Sequence, residues 1–267
     1  MPYRRLPNST PAVIRTLKAA RDKYKATPTA ADRAMGADLF AKLDDAAPTS
    51  FLNRFLKEVS DVDVAIAAQA PLTGLVAQKA EQLTIFVSHF HQVLDLGITR
   101  GTFAPGARGY YGRDVHATSI PDLSTYDTLR EAAEKVVSGE AARAAAEAAP
   151  TYDNGATYDS GLHYDGTYVA MCLPTAAQVA AKLAEFNAAR AQSESAMSNT
   201  NTQQEESAAM YPEAHALAVD ICDTVEFFYR KDPDPASRRA KCTAWGVVYV
   251  YEDGTTEPPA APALPTT

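Results

Sequence analysis

Residues 50–99 carry two interleaved series of mostly apolar positions, each repeating every seven residues. One series steps from Leu52 and the other from Phe55, so successive members lie three or four residues apart. Because this spacing is close to one helical turn, the pattern predicts a long helix packed lengthwise on a neighbour. At 1.5 Å per residue the helix is about 70 Å long. The two series comprise Leu52, Val59, Ile66, Thr73, Ala80, Val87 and Leu94, and Phe55, Val62, Gln69, Val76, Leu83, Phe90 and Gly97.

Pro71 interrupts this pattern, and Gln69 and Thr73 are weak core positions beside it. A proline inside a helix removes one backbone hydrogen bond and favours a kink. Since both series resume in phase beyond Pro71, we expect one kinked or locally opened helix rather than two unrelated ones.

A second long helix is predicted from about residue 175 to 230. The spacing of Val179 and Leu183 resumes from Tyr211 to Phe228, after a polar middle and with a bend expected at Pro212. Shorter helices are predicted near residues 10–26, 29–45 and 124–149, and residues 246–251 have the composition of a strand. The predicted fold class is mainly α: an elongated up-down helical bundle with two long helices, a Tyr/Asp/Gly-rich loop insert and a short C-terminal strand.

The predicted organisation has four parts. They are an N-terminal helical half at residues 1–150, a Tyr/Asp/Gly-rich insert at 151–174, a C-terminal helical half at 175–252 and a proline-rich flexible tail at 253–267. The two halves show a weak internal repeat, in which a long helix ends at Arg100 or Arg230 and an aromatic-glycine pair follows at residues 111–112 or 245–246. The repeat is compatible with two related helical hairpins and also with chance similarity.

The insert has a tyrosine-aspartate pair every six residues, with glycines between the pairs. A period of six does not fit a helix and favours turns, with Tyr152, Tyr158 and Tyr164 forming a contact surface. Aspartates on tight turns also suit calcium, but the spacing matches no EF-hand loop. Turns and a tyrosine-rich interface are therefore preferred over a calcium site.

Charge is distributed unevenly along the chain. The net charge is −8, yet residues 1–25 hold seven basic residues against the single acid Asp22. An acidic body argues against general nucleic-acid binding. The basic start could bind an anionic partner or the acidic body of a second copy, and a solvated helix face is the simpler alternative. The candidate interface residues there are Arg4, Arg5, Arg15, Lys18 and Arg21.

The sequence favours a cytoplasmic protein. No apolar stretch follows the basic start, so no signal peptide is expected, and no run of 18 uncharged apolar residues predicts a membrane span. Cys172, Cys222 and Cys242 are widely spaced, which suits reduced thiols better than a disulfide framework. Export by a signal-free route stays open.

Three separated segments resemble one protein family. They read PYRRLPN at residues 2–8 with IRTLK at 14–18, SHFHQVLDL at 88–96 followed by Arg100-Gly101, and WGVVYV at 245–250. Together they are similar to a family of uncharacterised helical proteins of Bacteroidetes. The resemblance implies a helical fold and no particular activity, and residues 151–169 depart from the family's pattern.

Few residues point to catalysis or metal binding. His89 and His91 lie two apart, which places them on different sides of a helix, flanking the core residue Phe90 rather than sharing a metal ion. No nucleophile elbow, Walker loop or dinucleotide-binding glycine pattern is present, and no cofactor is predicted. Arginines near helix ends are candidate anion or loop contacts, although capping and surface ion pairs explain them equally well. They are Arg100, Arg108, Arg238 and Arg239.

These features favour a non-enzymatic structural or interaction protein. Its predicted partner is a second copy of the chain, and the assembly could be extended or filamentous. The alternatives are a metal-binding or enzymatic helical bundle, and an adaptor that binds an anionic ligand through the basic N-terminus.

Overall fold

A computed structural model of the chain describes residues 2–117, 119–148, 168–171 and 173–250. The protein is mainly helical, with 73% helix and a small two-stranded sheet, so the predicted fold class is confirmed. Residues 151–167, which carry most of the predicted insert, and the predicted tail at 253–267 lie outside the described residues. The elements in chain order are β1 (Tyr3–Arg5), α1 (Thr10–Ala26), a 3₁₀ turn (Ala30–Asp32), α2 (Ala37–Leu43), α3 (Phe51–Thr99), α4 (Ala107–Tyr110), α5 (Tyr126–Ala148), α6 (Ala176–Tyr229), α7 (Pro235–Thr243) and β2 (Val248–Val250).

Both long helices are present. Helix α3 continues through Pro71 and α6 continues through Pro212, and the two helices pack against each other. Lys79 of α3 contacts Glu185 of α6, and Gln82, three residues further along α3, contacts Lys182, three residues earlier in α6. The two helices are therefore antiparallel in this region.

The helix starts follow local capping chemistry. Thr175 and Gln178 form a reciprocal capping box at the start of α6, with backbone-to-side-chain distances of 2.9 and 3.1 Å. Asp234 caps α7 by accepting from two backbone amides, and Pro235 occupies the first helical position. By contrast, the helix predicted over residues 29–45 is divided into the 3₁₀ turn and α2, with Gly36 as the cap of α2.

The strand predicted over residues 246–251 is present at Val248–Val250. Its partner, β1, was not predicted. The two strands pair antiparallel, with Tyr3 opposite Val250 and Arg5 opposite Val248. Three residues are too few to show the alternation that identifies a strand in a sequence.

The middle of α3 differs from the predicted core pattern. Ile66 is 46% exposed and Thr73 is also exposed, whereas their neighbours Ala65 and Leu72 lie inward. The first core cluster reaches along α3 to Val59, and the second begins only at Leu75. Between these points Ala65 is the one buried residue of positions 60–74, so the buried side of the helix is narrower there. Placing Ile66 and Thr73 in the core was therefore wrong.

The described residues fall into two compact units. The first combines the chain up to Ile66 with the chain from Asn199 onwards, and the second is Ala67–Ser198. Each long helix contributes to both units.

The first unit is built around the aromatic residue Trp245. This side chain is fully buried together with Leu17 of α1, Phe55 of α3 and Ile221 of α6. Its indole Nε1 donates a hydrogen bond to the Tyr229 hydroxyl at 3.2 Å. The cysteines Cys222 and Cys242 are buried in the same core, and Cys172 lies outside the described residues.

The two units share an order of parts. In each, a long helix ends, a short helix follows, and a buried aromatic residue precedes a glycine with positive φ: Tyr111-Gly112 at φ 72° and Trp245-Gly246 at φ 95°. Such φ values favour glycine over any residue with a Cβ atom. Core positions of α3 and α6 also correspond when they are 131 residues apart. The pairs are Phe55/Phe186, Leu83/Ala214, Val87/Ala218, Phe90/Ile221 and Leu94/Val225, all fully buried.

Gly139 of the second unit lies where there is no space for a Cβ atom. A Cβ atom at this position of α5 would collide with the Tyr110 carbonyl oxygen and would lie 2.8 Å from the Tyr111 ring. We expect Gly139→Ala to lower the free energy of unfolding by about 2 kcal/mol, because the backbone of α4 must shift. Gly109→Ala is the matched control, since a Cβ there meets nothing within 4 Å. Urea unfolding checks both variants, and equal stability of the two would contradict this packing.

Candidate functional site

The second unit contains a buried polar cluster around Glu140 and Arg143. Both residues lie on one turn of α5, and Gly139 beside them allows α4 to approach closely. Tyr111, which follows α4, and residues 168–171, at the end of the predicted insert, complete the cluster. We refer to Tyr111, Glu140, Arg143 and Tyr168 as the polar cluster.

The Glu140 carboxylate accepts hydrogen bonds on both oxygens. The hydroxyls of Tyr111 and Tyr168 donate to Oε2 and Oε1 respectively. The Arg143 guanidinium also donates to Oε1, at 3.0 Å, and the Met171 backbone amide donates to the same atom at 3.3 Å. The carboxylate therefore holds α5, the Tyr111 segment and the 168–171 segment together.

Arg143 is fully buried, and each nitrogen of its guanidinium donates a hydrogen bond. Its Nε donates to the Tyr111 hydroxyl at 2.9 Å, one Nη donates to the Val169 carbonyl at 2.8 Å, and the other donates to Glu147 at 2.8 Å. The guanidinium carbon lies 4.8 Å from the centre of the Phe103 ring and 4.9 Å from that of Tyr168. Such placement between two aromatic rings stabilises a cation that has lost its water.

Phe103 reaches the cluster because Gly97 lies under it. A Cβ atom on Gly97 would collide with the Phe103 ring, so this position near the end of α3 must remain small. The glycine at the end of the predicted core series is thus a contact point for the loop that follows α3.

Burial alone would raise the pKa of Glu140, but the hydrogen bonds from Tyr111, Tyr168 and Arg143 outweigh it and hold the pKa below its ordinary value. Burial and the hydrogen bond to Glu140 raise the pKa of Tyr111, and they raise the pKa of Tyr168 to about 12. At neutral pH the cluster is therefore an ion pair with two neutral phenols. A carboxylate this fully engaged is poorly suited to act as a base.

An open cleft of about 580 Å³ lies beside the cluster. Glu147, which pairs with Arg143, is the charged residue of its lining. The remaining lining is small or aromatic: Ala104, Gly106, Ala107, Gly109 and Tyr110.

His91 lies in the core of the same unit. The side chain is fully buried, so His91 is part of the core and does not merely flank Phe90 as predicted. Neither ring nitrogen has a hydrogen-bond partner among the described residues. Burial first, and then the positive charge of Arg113, lower the pKa of His91 to about 4, although Asp95 opposes the shift. The imidazole is neutral at pH 7.

Asp95, one helical turn beyond His91, fixes the loop after α3. Arg108 donates to it at 2.8 Å, and Arg113 donates to both carboxylate oxygens at 3.0 and 3.1 Å. Burial would raise the pKa of Asp95, but these two arginines lower it. Arg108 also donates to the Val115 carbonyl at 2.7 Å, so it serves as a loop contact.

The four predicted anion-contact arginines are divided between the units. Arg100 and Arg108 belong to the second unit, whereas Arg238 and Arg239 lie half-buried on α7 in the first. Across the parts of the chain described, no group of three or more His, Cys, Asp or Glu side chains is arranged to hold a metal ion.

The basic N-terminal residues divide into two groups. Arg4 forms ion pairs with Asp223 and Glu226, and Arg21 with Asp22 and Asp45. Arg5, Arg15 and Lys18 are exposed and have no ion-pair partner within the described ranges. The predicted interface tyrosines Tyr152, Tyr158 and Tyr164 lie outside the described residues.

Comparison of the chain with protein-family models, curated proteins and solved structures finds no match. The resemblance to a Bacteroidetes family stays a prediction.

One described helix could span a membrane by length and composition alone. Helix α3 has a mean hydropathy of 1.2 over an 18-residue window, of which 11% is buried. Core helices of soluble proteins can have the same length and hydropathy. The prediction of no membrane span therefore stays a prediction.

Loss of the Glu140 carboxylate from the polar cluster should destabilise the folded protein. Glu140→Ala leaves Arg143 buried without its main counter-charge, and we expect a loss of about 3–5 kcal/mol in the free energy of unfolding. The control is Glu131→Ala on the same helix, which removes an exposed ion pair with Lys135 and should cost less than about 1 kcal/mol. Urea titration measures both, and similar losses would show that the cluster does not hold the unit together.

His91 should make the free energy of unfolding depend on pH. Between pH 6.5 and about 4 the unfolded chain binds a proton that folded His91 resists, so stability present above pH 6.5 falls as the pH is lowered. The loss is about 3 kcal/mol. His91→Leu should remove this part of the acid dependence and should not destabilise the protein at pH 7, since it removes unpaired buried nitrogens. His89→Leu, at an exposed position of α3, is the control in unfolding titrations at each pH. If His91→Leu leaves the pH dependence of the free energy of unfolding unchanged, His91 is not the cause of the stability loss in acid.

Proposed function

We propose that this chain is a non-enzymatic structural or interaction protein that associates with further copies of itself. The observation that carries the proposal is the exposed apolar surface in the middle of α3. Val64 is 64% exposed and Ile66 is 46% exposed, and no charged residue occurs from Val64 to Gln78. Contiguous exposed apolar surface is characteristic of protein contact sites.

The hydrophobic effect favours burial of this α3 surface in a protein contact. Removing apolar area from water stabilises a complex by about 25 cal/mol per Å² before the entropic cost of association. A helix with lysines or glutamates at these positions would keep the same inward packing, so the outward composition is not required by the fold. An interaction therefore explains these residues better than the stability of the single chain does.

The polar cluster favours a structural role over a catalytic one. Both oxygens of Glu140 are engaged, the two phenols hold their protons, and Arg143 is enclosed between rings. Each group is committed to holding a chain segment. A base or nucleophile needs unused hydrogen-bonding capacity within reach of a substrate.

An extended assembly needs a second contact, because one two-fold contact closes a dimer. The exposed cations Arg5, Arg15 and Lys18 are the candidate, since a chain of net charge −8 offers them an acidic surface on another copy. The same cations would serve an adaptor for an anionic ligand, which is the second candidate function.

Self-association predicts a molar mass that rises with protein concentration in multi-angle light scattering. Growth beyond the dimer should be weakened by salt and by the double variant Arg15→Glu/Lys18→Glu, because both act on charge attraction. The control is Lys42→Glu/Arg130→Glu, which changes the net charge equally at other exposed positions. A strict monomer at every concentration and salt level would contradict the proposal and would favour the adaptor.

A further inference from the structure

The cleft of about 580 Å³ beside the polar cluster is lined by residues of the second unit. Its volume falls within the roughly 300–1,000 Å³ that is typical of small-molecule sites. The lining combines the Glu147 carboxylate and the Tyr110 ring, which is 40% exposed, with small residues. A ligand in this cleft would therefore meet one negative charge, one aromatic ring and a small apolar surface. The small residues are Ala104, Gly106, Ala107 and Gly109.

Glu147 is held in position by a buried cation. Its Oε2 accepts a hydrogen bond from Nη1 of Arg143 at 2.8 Å, and Arg143 is fully buried. The other oxygen of Glu147, Oε1, has no hydrogen-bond partner among the described residues. Since the Glu147 side chain is 39% exposed, Oε1 is available to a ligand. A carboxylate that is already anchored at one oxygen loses less conformational freedom when a ligand binds than a mobile one does.

The charges beside the cleft favour a cation. Arg143 contributes one positive charge, whereas Glu140 and Glu147 contribute one negative charge each, so these three residues together are negative. Arg108 of α4 is not part of the lining, and its guanidinium donates to Asp95 at 2.8 Å. Glu147 therefore faces the cleft with a charge that Arg143, shared with Glu140, does not fully balance.

The cleft is poorly suited to an anion. Each nitrogen of the Arg143 guanidinium already donates to another residue of the chain. The Ala107 amide donates to the Ala104 carbonyl at 2.9 Å. The Gly109 amide donates to the Gly106 carbonyl at 3.0 Å. An anion would therefore find neither this guanidinium nor these two amides free to bind it.

The available atoms also select the kind of cation. A guanidinium binds a carboxylate best through both oxygens, and Arg143 already occupies one oxygen of Glu147. An ammonium group needs only one acceptor, and an aromatic ring beside it adds cation–π attraction. A quaternary ammonium group has no N–H to donate to Oε1. The small apolar lining suits an alkyl chain attached to the ammonium group.

We propose that this cleft binds an alkylammonium group, with Glu147 as its counter-ion and Tyr110 beside it. A free aliphatic amine and a lysine side chain share this chemistry. The proposal does not depend on self-association, since every residue that carries it belongs to one unit of one chain.

Titration of the full chain with butylammonium chloride tests the proposal. Gly106 and Gly109 line the cleft, so their backbone amide signals in proton–nitrogen correlation spectra should shift at pH 7 and low salt. Butanol has a similar chain without a charge and should bind about tenfold more weakly, because it forms no charge-assisted hydrogen bond. Butylguanidinium should also bind more weakly than butylammonium. N-acetyl-lysine amide distinguishes the two sources: tighter binding than butylammonium assigns the cleft to a lysine side chain, and weaker binding assigns it to a free amine.

Two variants test the residues of the cleft. Glu147→Gln keeps the size of the side chain and removes its charge, so butylammonium should bind about tenfold more weakly. Tyr110→Leu removes the aromatic ring and should weaken binding about two- to fivefold, as expected for a cation–π contact at an exposed site. The matched control is Glu134→Gln, which makes the same charge change at an exposed position of the same helix and should bind like the parent.

Three results would overturn the proposal. They are an absence of shifts at Gly106 and Gly109, equal binding of butanol and butylammonium, and equal binding of butylammonium by Glu147→Gln and Glu134→Gln. Thermal unfolding of each variant shows that it is folded, and the comparison of butanol with butylammonium uses the parent chain alone. Self-association is measured separately by light scattering, so failure of the cleft to bind an amine would leave the proposed function standing.

Discussion

The lengthwise packing of α3 on α6 is the contact on which the rest of the structure depends. Each compact unit takes a segment of both helices, and shorter elements cover them: α1, α2 and α7 in the first unit, α4 and α5 in the second. Between Val59 and Leu75 neither core cluster reaches α3. A helix held mainly on one side keeps an outward face whose composition is free to vary, and here that composition is apolar.

The sequence was informative about α3 and α6 because a buried face recurs at every helical turn along them. It was less informative about burial in the middle of α3, where Ile66 fits the seven-residue series and is nevertheless exposed. The series records spacing, and burial depends on how many neighbours surround a position. Strand β1 was missed for a related reason, since its three residues gain a partner only from residues 248–250, almost the whole chain away.

The polar cluster lay beyond sequence reasoning. Glu140 and Arg143 stand in an alanine-rich helix, where a charged pair three residues apart is expected at the surface. They are buried because Gly139 allows α4 to approach and because Tyr168 returns from the end of the insert. The unusual signal available in the sequence was a glycine directly before a charged pair within a helix. Arg108 was predicted as an anion contact, and its partner is the carboxylate of Asp95, an internal anion.

The correspondence between the two units extends to an ion pair in each. Asp95 and Glu226 occupy equivalent positions, 131 residues apart, and each receives an arginine. The outward faces of α3 and α6 differ in composition. Where α3 has Val64, Ala67, Pro71 and Gly74, the corresponding positions of α6 are Ser195, Ser198, Thr202 and Glu205. Equivalent packing with different outward chemistry indicates that the apolar face of α3 is not a by-product of the bundle.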